Sequence, residues 1–348
     1  PWSRRSVLQQ GTGLATAVAV LPRGGRAQEG VVNIYNWDTY VAPETIPGFE
    51  AATGLTVRYD LFASNDELFA KLRAGNPGYD VIFPSNDYTA RMIQAGMLEP
   101  LDHDRLPNMA NMDPAFMDVS FDPGRRHSLP YFWGTVGIGY RRSRVERPTS
   151  WASLFTDDTH AGRISLLTET DSLYAALRYL GFSINTEDPA EIVAAADLLI
   201  AAKPRIRTFA PDTGQDLLIS GEVDLCLEFN GDILQVMEED DDLDFVVPKE
   251  GTARWEDTMC IPKGAPNPAG AHAFLNHIYE AEVHAAIAEY VRYALPNLAA
   301  KELIPEADRL NEAIYPPAEV MQLTEIARYK SNELEGLFQA AMTRVLAA

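Results

Sequence analysis

Five places along the chain put an aromatic side chain close to a carboxylate, each just after a predicted strand. An aromatic face attracts an alkylammonium group through its quadrupole by roughly 0.5–2 kcal/mol, and a carboxylate adds charge-assisted hydrogen bonds. Together the two side chains suit an organic cation with an apolar spine. The five combinations are Trp37/Asp38/Tyr40, Asp87/Tyr88, Asp171/Tyr174, Phe229/Asp232 and Trp255/Asp257.

Each combination also has an ordinary structural explanation. A single Trp after a strand usually belongs to the core, and a single Asp there more often caps a helix or forms a turn. Enzyme signatures are scarce, since the sequence contains no GxSxG, P-loop, HExxH or GxGxxG motif. Carboxylates beside aromatics disfavour an anionic ligand, which would want arginine or backbone donors. The pattern therefore favours a protein that binds a cation, with an exported enzyme as the alternative from another class.

Composition and the N-terminus indicate an exported globular protein of two domains or lobes. The 348 residues are 46% hydrophobic and carry a formal net charge of −21. That charge repels nucleic acid and anionic membranes, although it can equally serve solubility alone. Arg4 and Arg5 precede a short apolar run at 14–21 and a small residue at Ala27. We interpret residues 1–27 as a twin-arginine-type export signal, too short in its apolar part to span a bilayer, and expect a periplasmic protein.

The spacing of apolar residues predicts two successive α/β units. In the first, the strands VVNIYNW, LTVRYDLF and YDVIFPS alternate with helices, one ending at Gly54 and one starting with a Ser64–Glu67 capping pattern. This order predicts a largely parallel, doubly wound sheet. The second unit contains the strands RISLLTE, IRTFAP and VDLCLEFNGD, and the C-terminal part from 270 onwards is predicted to be helical. Ligands of such sheets bind beyond the carboxyl ends of the strands.

Two smaller features matter for the chemistry. Cys226 and Cys260 lie in apolar, strand-like runs, where export would permit a disulfide but two buried thiols are an equal alternative. His277 and His284 are seven residues apart on one predicted helix, and we expect both at the surface.

Several longer stretches resemble the periplasmic spermidine/putrescine-binding proteins of polyamine ABC importers. They are IYNWDTYVAPETIPGFEAATG, YDVIFPSNDYTARMIQAGMLEPLD, LPYFWGTVGIGY, VVPKEG and YALPNLAA. The likeness covers about residues 31–345 and implies a two-lobed α/β periplasmic binding protein fold, with a ligand cleft between lobes that close by a hinge motion. With this fold we expect lobe 1 to comprise residues 28–135 and 256–301, and lobe 2 residues 136–255 and 302–348.

The resemblance also implies which side chains line the amine cleft. Trp255 and Asp257 match an aromatic–acid pair that clamps the amine, Asp232 matches an acid of putrescine-type members, and Phe229 stands where members usually have Trp. The other matching positions are Trp37, Asp38, Thr39, Tyr40, Ser85, Asp171 and Tyr293.

Three further positions of the implied site depart from the family pattern. Asp87 stands where spermidine-type members have Tyr, and Thr168 where they have a second acid. Lys330 falls near a Gln that closes the end of the cleft. A lysine beside an ammonium is repulsive, so Lys330 must point away, pair with an acid such as Asp87, or set the end of the pocket.

The resemblance thus implies a substrate-binding protein, not an enzyme, that delivers a polyamine to an inner-membrane ABC permease. Thr168, Lys330 and Asp232 favour putrescine over spermidine, while Trp255, which matches the spermidine type, argues the other way. We expect a monomer that needs no cofactor or metal and binds no nucleic acid. The alternative is a binding protein of the same fold for another small organic cation or amine.

Overall fold

The computed structural model describes residues 30–348, so the predicted export signal at residues 1–27 lies outside the described residues. Within that range the strands are β1 (Val31–Asn36), β2 (Thr56–Leu61), β3 (Val81–Ile82), β4 (Asp118–Val119), β5 (Asp122–Pro123), β6 (Ser128–Arg141), β7 (Ile164–Leu167), β8 (Ile206–Ala210), β9 (Leu225–Phe229), β10 (Leu243–Val246), β11 (Ala253–Cys260) and β12 (Glu325–Ile326). The α-helices are α1 (Thr45–Thr53), α2 (Asn65–Arg73), α3 (Asn86–Gln94), α4 (Ala152–Phe155), α5 (Asp171–Tyr179), α6 (Pro189–Ala202), α7 (Gly214–Ile219), α8 (Asn230–Met237), α9 (Pro268–Ile278), α10 (Ala281–Val291), α11 (Leu298–Lys301), α12 (Glu306–Arg309), α13 (Ala318–Met321) and α14 (Asn332–Ala347).

Local signals set the ends of the first two helices as the sequence predicts. Helix α1 ends at Gly54, whose φ of 71° lies in the left-handed region that glycine adopts without a Cβ clash. Helix α2 begins after Ser64, whose Oγ accepts the N–H of Glu67 at 3.2 Å. The Glu67 carboxylate in turn accepts the N–H of Ala63 at 3.0 Å, so backbone donors at the helix start are satisfied.

The sheet has two parallel ends joined by an antiparallel centre. Strand β1 runs parallel to β2 and β3 at one end, and β7 runs parallel to β8 and β9 at the other. Strands β11 and β6 lie between these ends, and each runs antiparallel to its neighbours on that path. The prediction of two successive α/β units, the first with a largely parallel sheet, is confirmed, and the antiparallel pairing between the two units was not predicted.

Strand β6 is shared by both ends of the sheet. Its first half pairs with β11, from Ser128 opposite Cys260 to Thr135 opposite Arg254. Its second half pairs with β9, starting at Val136 opposite Phe229. The changeover between Thr135 and Val136 brings the ends of β9 and β11 side by side, and both of these ends carry predicted site residues.

The hydrophobic core also divides along β6. Leu129, Tyr131 and Phe132 pack in a cluster with residues of β1, β3, α9 and α10. Val136 and Ile138, a few residues on, pack in another with residues of α5, α6 and α14. Two cores on either side of a shared strand make this a two-lobed α/β molecule.

Two smaller predictions are decided by burial. Cys226 and Cys260 are free and buried, so the interpretation as separate thiols is the right one. The expectation that His277 and His284 lie at the surface is wrong, because both are buried. His284 Nε2 lies 3.0 Å from the carbonyl oxygen of Tyr131, and burial lowers the pKa of its imidazole to about 3.

Among residues 30–348, no helix is both long enough and apolar enough to cross a membrane.

Arg125 and Glu256 form a buried ion pair, which should contribute measurably to the free energy of unfolding. Arg125 donates to Glu256 through two nitrogens, at 2.7 and 3.0 Å, and both side chains are buried. We expect Arg125→Met to lower the free energy of unfolding by about 3–5 kcal/mol, because it leaves the Glu256 carboxylate buried without a partner. Urea denaturation followed by circular dichroism measures this.

The matched control is Arg207→Met, which breaks the exposed pair with Glu222 and should cost about 1 kcal/mol or less. The double replacement Arg125→Met/Glu256→Met should recover much of the loss. Equal effects of Arg125→Met and Arg207→Met would contradict the argument.

Candidate functional site

One buried aspartate is held by two side chains from distant parts of the chain. Asp257, on β11, is only 8% exposed. Its Oδ2 accepts the hydroxyl of Tyr40 at 2.8 Å, and its Oδ1 accepts the hydroxyl of Ser85 at 2.6 Å. Ser85 precedes α3, and an isolated bridge joins its backbone to that of Asp257. Burial raises the pKa of Asp257 to about 7 against the effect of both hydrogen bonds, and the nearby Asp87 raises it further.

A second aspartate has the same kind of tyrosine partner. Asp232 lies in the first turn of α8, and its Oδ2 accepts the hydroxyl of Tyr293 at 2.7 Å. Burial first, and then Asp212, raises the pKa of Asp232 to about 7. A Cβ on Gly231 would lie 2.3 Å from the ring of Tyr293, so glycine is needed for this close approach.

Aromatic rings connect the two tyrosine–aspartate pairs. The rings of Tyr40 and Tyr293 meet edge to face, with centroids 6.0 Å apart. Trp255 packs edge to face on Tyr293 at 4.7 Å and on Phe229 at 6.1 Å. The two carboxylates are thus connected through contacting aromatic rings, and acids beside aromatic faces suit an alkyl chain that carries ammonium groups.

Two further predicted acids lie near one another. Burial raises the pKa of Asp87 to about 6. Burial also raises the pKa of Asp171 to about 7, and Glu169 and Asp87 add to that effect by repulsion between like charges. Tyr174, one turn after Asp171 on α5, packs edge to face on Phe338 of α14 at 5.8 Å. The second and third predicted combinations bring their acids, Asp87 and Asp171, close enough to repel each other.

Four predicted residues make their contacts away from these acids. Trp37 donates its Nε1–H to the carbonyl of Phe83 at 2.9 Å. The side chains of Asp38 and Thr39 are exposed, and Asp38 accepts the N–H of Thr39. The hydroxyl of Thr168 contacts Glu169 at 3.3 Å.

Lys330 has partners in the second lobe. Its ammonium lies 3.1 Å from the Glu187 carboxylate and donates to the carbonyl of Asn185. Of the arrangements considered for this lysine, pairing with Asp87 is not the one that the structure shows.

Three acids near the site were not predicted: Glu335, Glu228 and Asp212. Burial, followed by the charge of Asp87, raises the pKa of Glu335 to about 7. Glu228 is fully buried on β9, and an acid after the apolar run LCL at 225–227 was a signal that the sequence offered. Nothing in the local pattern distinguishes Asp212 from an ordinary turn residue.

None of the acids around the cleft has a cationic partner. Among residues 30–348, no lysine, arginine or histidine forms an ion pair with the carboxylates of Asp87, Asp171, Asp212, Glu228, Asp232, Asp257 or Glu335. Buried carboxylates without partners are costly, so the arrangement is suited to a cation from outside the chain.

The fold and this cleft define a solute-binding protein, and comparison with known proteins identifies its family. Residues 44–311 match the family described as bacterial extracellular solute-binding protein. The chain belongs to this family, whose members bind solutes, so it is a binding protein rather than an enzyme.

Characterised relatives are polyamine-binding proteins, which confirms the resemblance found in the sequence. The putrescine-binding periplasmic protein SpuD of Pseudomonas aeruginosa is 36% identical over 95% of this chain and 95% of its own length. The spermidine/putrescine-binding periplasmic protein of Escherichia coli is 35% identical over 83% of this chain and 84% of its own. A solved structure, described as a putative spermidine/putrescine ABC transporter from Listeria monocytogenes, superimposes with a TM-score of 0.86 at 33% identity, covering 91% of this chain and 99% of that one.

The position of Trp255 depends on a glycine across the sheet. A Cβ on Gly134 would lie 2.5 Å from the Trp255 ring and 2.4 Å from the Asn230 side chain. We expect Gly134→Ala to displace the ring, costing about 1–3 kcal/mol of stability by overpacking and shifting the tryptophan fluorescence.

Gly336→Ala is the control, because its Cβ would meet nothing within 4 Å on α14 and alanine favours a helix over glycine. An unchanged emission spectrum and melting temperature for Gly134→Ala would show that the ring is not held as described.

Proposed function

We propose that this protein binds an aliphatic polyamine in the cleft and delivers it to an ABC permease in the inner membrane. The observation that carries the proposal is a set of two aspartates, buried Asp257 and half-buried Asp232, each bonded to a tyrosine whose ring contacts the other tyrosine ring. Neither aspartate has a cationic partner among the described residues. The relatives from Pseudomonas aeruginosa and Escherichia coli are described as periplasmic proteins, and a twin-arginine-type signal at residues 1–27 would export the chain to the same compartment.

The proposed lobes are residues 28–135 with 256–301 and residues 136–255 with 302–348. The separation of the two core clusters at β6 supports this division. The proposed ligand contacts are the two tyrosine–aspartate pairs, Ser85, Trp255 and Phe229, with Trp37, Asp38 and Thr39 in the loop after β1. Asp87, Asp171 and Thr168 would form the other end of the cleft.

For the particular amine, we propose that a short diamine such as putrescine binds more tightly than spermidine. The two tyrosine–aspartate pairs match two ammonium groups. Thr168 supplies only a hydroxyl at the position where spermidine-type members have a second acid, which would hold a third ammonium group. Lys330 does not support this preference, because its charge is already paired with Glu187.

Binding and its dependence on Asp257 are tested together by calorimetry. Protein refolded without ligand should bind one putrescine, and ligand should raise its melting temperature by mass action. Asp257→Ala should weaken binding by about 3–5 kcal/mol, because an ammonium loses its charged partner, whereas Trp255→Ala should weaken it by about 0.5–2 kcal/mol.

Glu239→Gln, which removes an exposed acid with no part in the cleft, is the control for net charge and should bind normally. The panel contains putrescine, cadaverine, agmatine, spermidine, spermine and amino acids. An absence of heat and of thermal shift with every compound would refute the proposal. Equal losses in the two cleft variants would mean that Asp257 does not contact the amine.

The preference for a diamine is tested by adding an acid at the other end of the cleft. Thr168→Asp should shift the ratio of affinities towards spermidine by about tenfold or more, since it adds a carboxylate for a third ammonium. Lys330→Gln alone should leave the ratio unchanged, because its charge is paired outside the cleft. Tenfold tighter binding of spermidine than putrescine by the unaltered protein would show that the preference is the reverse.

A further inference from the structure

Three carboxylates cluster at the Asp232 end of the cleft. We call Asp212, Glu228 and Asp232 the acid trio, because each offers an oxygen and these oxygens all lie within 4.8 Å of one another. Glu228 is fully buried, Asp232 is half-buried and Asp212 is exposed. The trio therefore runs from the core, past the candidate ligand site, to solvent.

The closeness of Asp212 and Glu228 favours a proton between them. Their carboxyl oxygens lie within 4.8 Å of each other, and two carboxylates at that distance repel each other unless one of them is protonated. Glu228 also accepts the N–H of Gly214 at 2.9 Å and that of Phe229 at 3.0 Å. These backbone donors fix its position between α7 and β9. A Cβ on residue 214 would lie 2.5 Å from Oε2 of Glu228, so a glycine at this position leaves the space that the Glu228 carboxyl group occupies.

The surroundings of the trio contain acids and neutral groups. Asp216, on α7, adds to the negative potential at Asp212 and Asp232. Tyr293 faces Asp232 from the segment after α10, and Cys226 faces Glu228 from β9, with a pKa that burial holds far above its usual range. Because no described lysine or arginine pairs with the trio, a proton is the cation that it can hold without a ligand.

We propose that Asp212 and Glu228 are specificity-determining residues of the amine site, which keep one proton beside Asp232 until an ammonium group binds there and displaces it. The inference rests on the function proposed above. One ammonium arrives and one proton leaves through the exposed carboxyl of Asp212, so the net charge of the trio together with its bound cation stays constant. Burial and mutual repulsion raise the pKa of Glu228 well above its usual range and that of Asp232 to about 7, as such sharing requires.

The consequence is a dependence of affinity on pH with a defined sign. An ammonium ligand binds the deprotonated trio, so its affinity increases as the pH rises towards the raised pKa values of Glu228 and Asp232. An alkylamine remains charged over this pH range. A neutral ligand cannot replace the proton, so the trio selects against it. Each displaced proton makes affinity rise by about tenfold per pH unit below those pKa values.

Calorimetry of putrescine binding tests this, with phosphate and Tris buffers compared at the same pH. The two buffers differ in their heat of protonation, so the difference in observed heat gives the number of protons released. Asp212→Asn should release about one proton fewer than the unaltered protein and flatten the plot of log affinity against pH by about one unit of slope. Glu228→Gln should do the same, and Glu239→Gln, outside the trio, should release the normal number.

Equal proton release by the unaltered protein, Asp212→Asn and Glu228→Gln would overturn the inference. Asp212 is exposed, so its variant should fold even if Glu228→Gln does not, and thermal unfolding checks both. Titration of the unliganded proteins with acid separates this inference from the proposed function. Without any amine, the unaltered protein should hold about one more proton at pH 6 than Asp212→Asn, while Glu239→Gln should match the unaltered protein.

Identical titration curves for Asp212→Asn and Glu239→Gln would refute proton sharing even if amines bind. A missing amine response with a distinct Asp212→Asn titration would refute only the proposed function. Calcium chloride serves as a further probe. Heat of calcium binding that disappears in Asp212→Asn would also overturn the inference, because a metal ion would then neutralise the trio.

Discussion

The structure depends on keeping several carboxylates in a partly buried cleft where, among residues 30–348, none of them forms an ion pair. Asp257 shows how this is done, because Tyr40 and Ser85 donate hydrogen bonds to both of its oxygens. These bonds hold the carboxylate in place but do not compensate its desolvation, since its pKa remains raised to about 7. The cleft without a ligand therefore carries unfavourable electrostatic energy, which a bound cation would reduce.

That constraint explains why the acids lie at the ends of strands and the starts of helices around β6. A strand shared by two lobes lets β9 and β11 end side by side, so Phe229 and Trp255 can pack together while belonging to separate parts of the chain. Asp232 follows in the first turn of α8, where the backbone N–H groups partly offset its charge. The sheet therefore positions the carboxylates, and the loops between elements shape the rest of the cleft.

The sequence predicts those parts of the fold that local rules govern. Strand β1, the end of α1 at Gly54 and the start of α2 at Ser64 follow from alternation, glycine and capping. The segment after 316 was predicted as continuous helix, yet it contains α13, the strand β12 and only then α14. Helices α9 and α10 were likewise predicted as one, because the apolar spacing continues through the break at Tyr279 and Glu280. In each case the deciding contacts come from distant parts of the chain.

The same limit applies to the site. The aromatic–acid combinations identify Asp232 and Asp257, since an acid after a strand is visible in the sequence. Glu335 lies on the polar side of a long helix and Asp212 in a loop, and neither has a local pattern that distinguishes it from a solvated acid.

Lys330 shows how a charge close to the cleft can serve the fold instead of the ligand. Asn86 of the first lobe donates to the carbonyl of Ala327 at 2.6 Å, and Asn185 of the second donates to that of Ile326 at 3.0 Å. Strand β12 meanwhile pairs with β11. Residues 325–330 are therefore tied to both lobes, and the bonds of Lys330 to Asn185 and Glu187 fasten the end of this segment to the second lobe. The contacts of Lys330 therefore help to hold a segment that contacts both parts of the molecule.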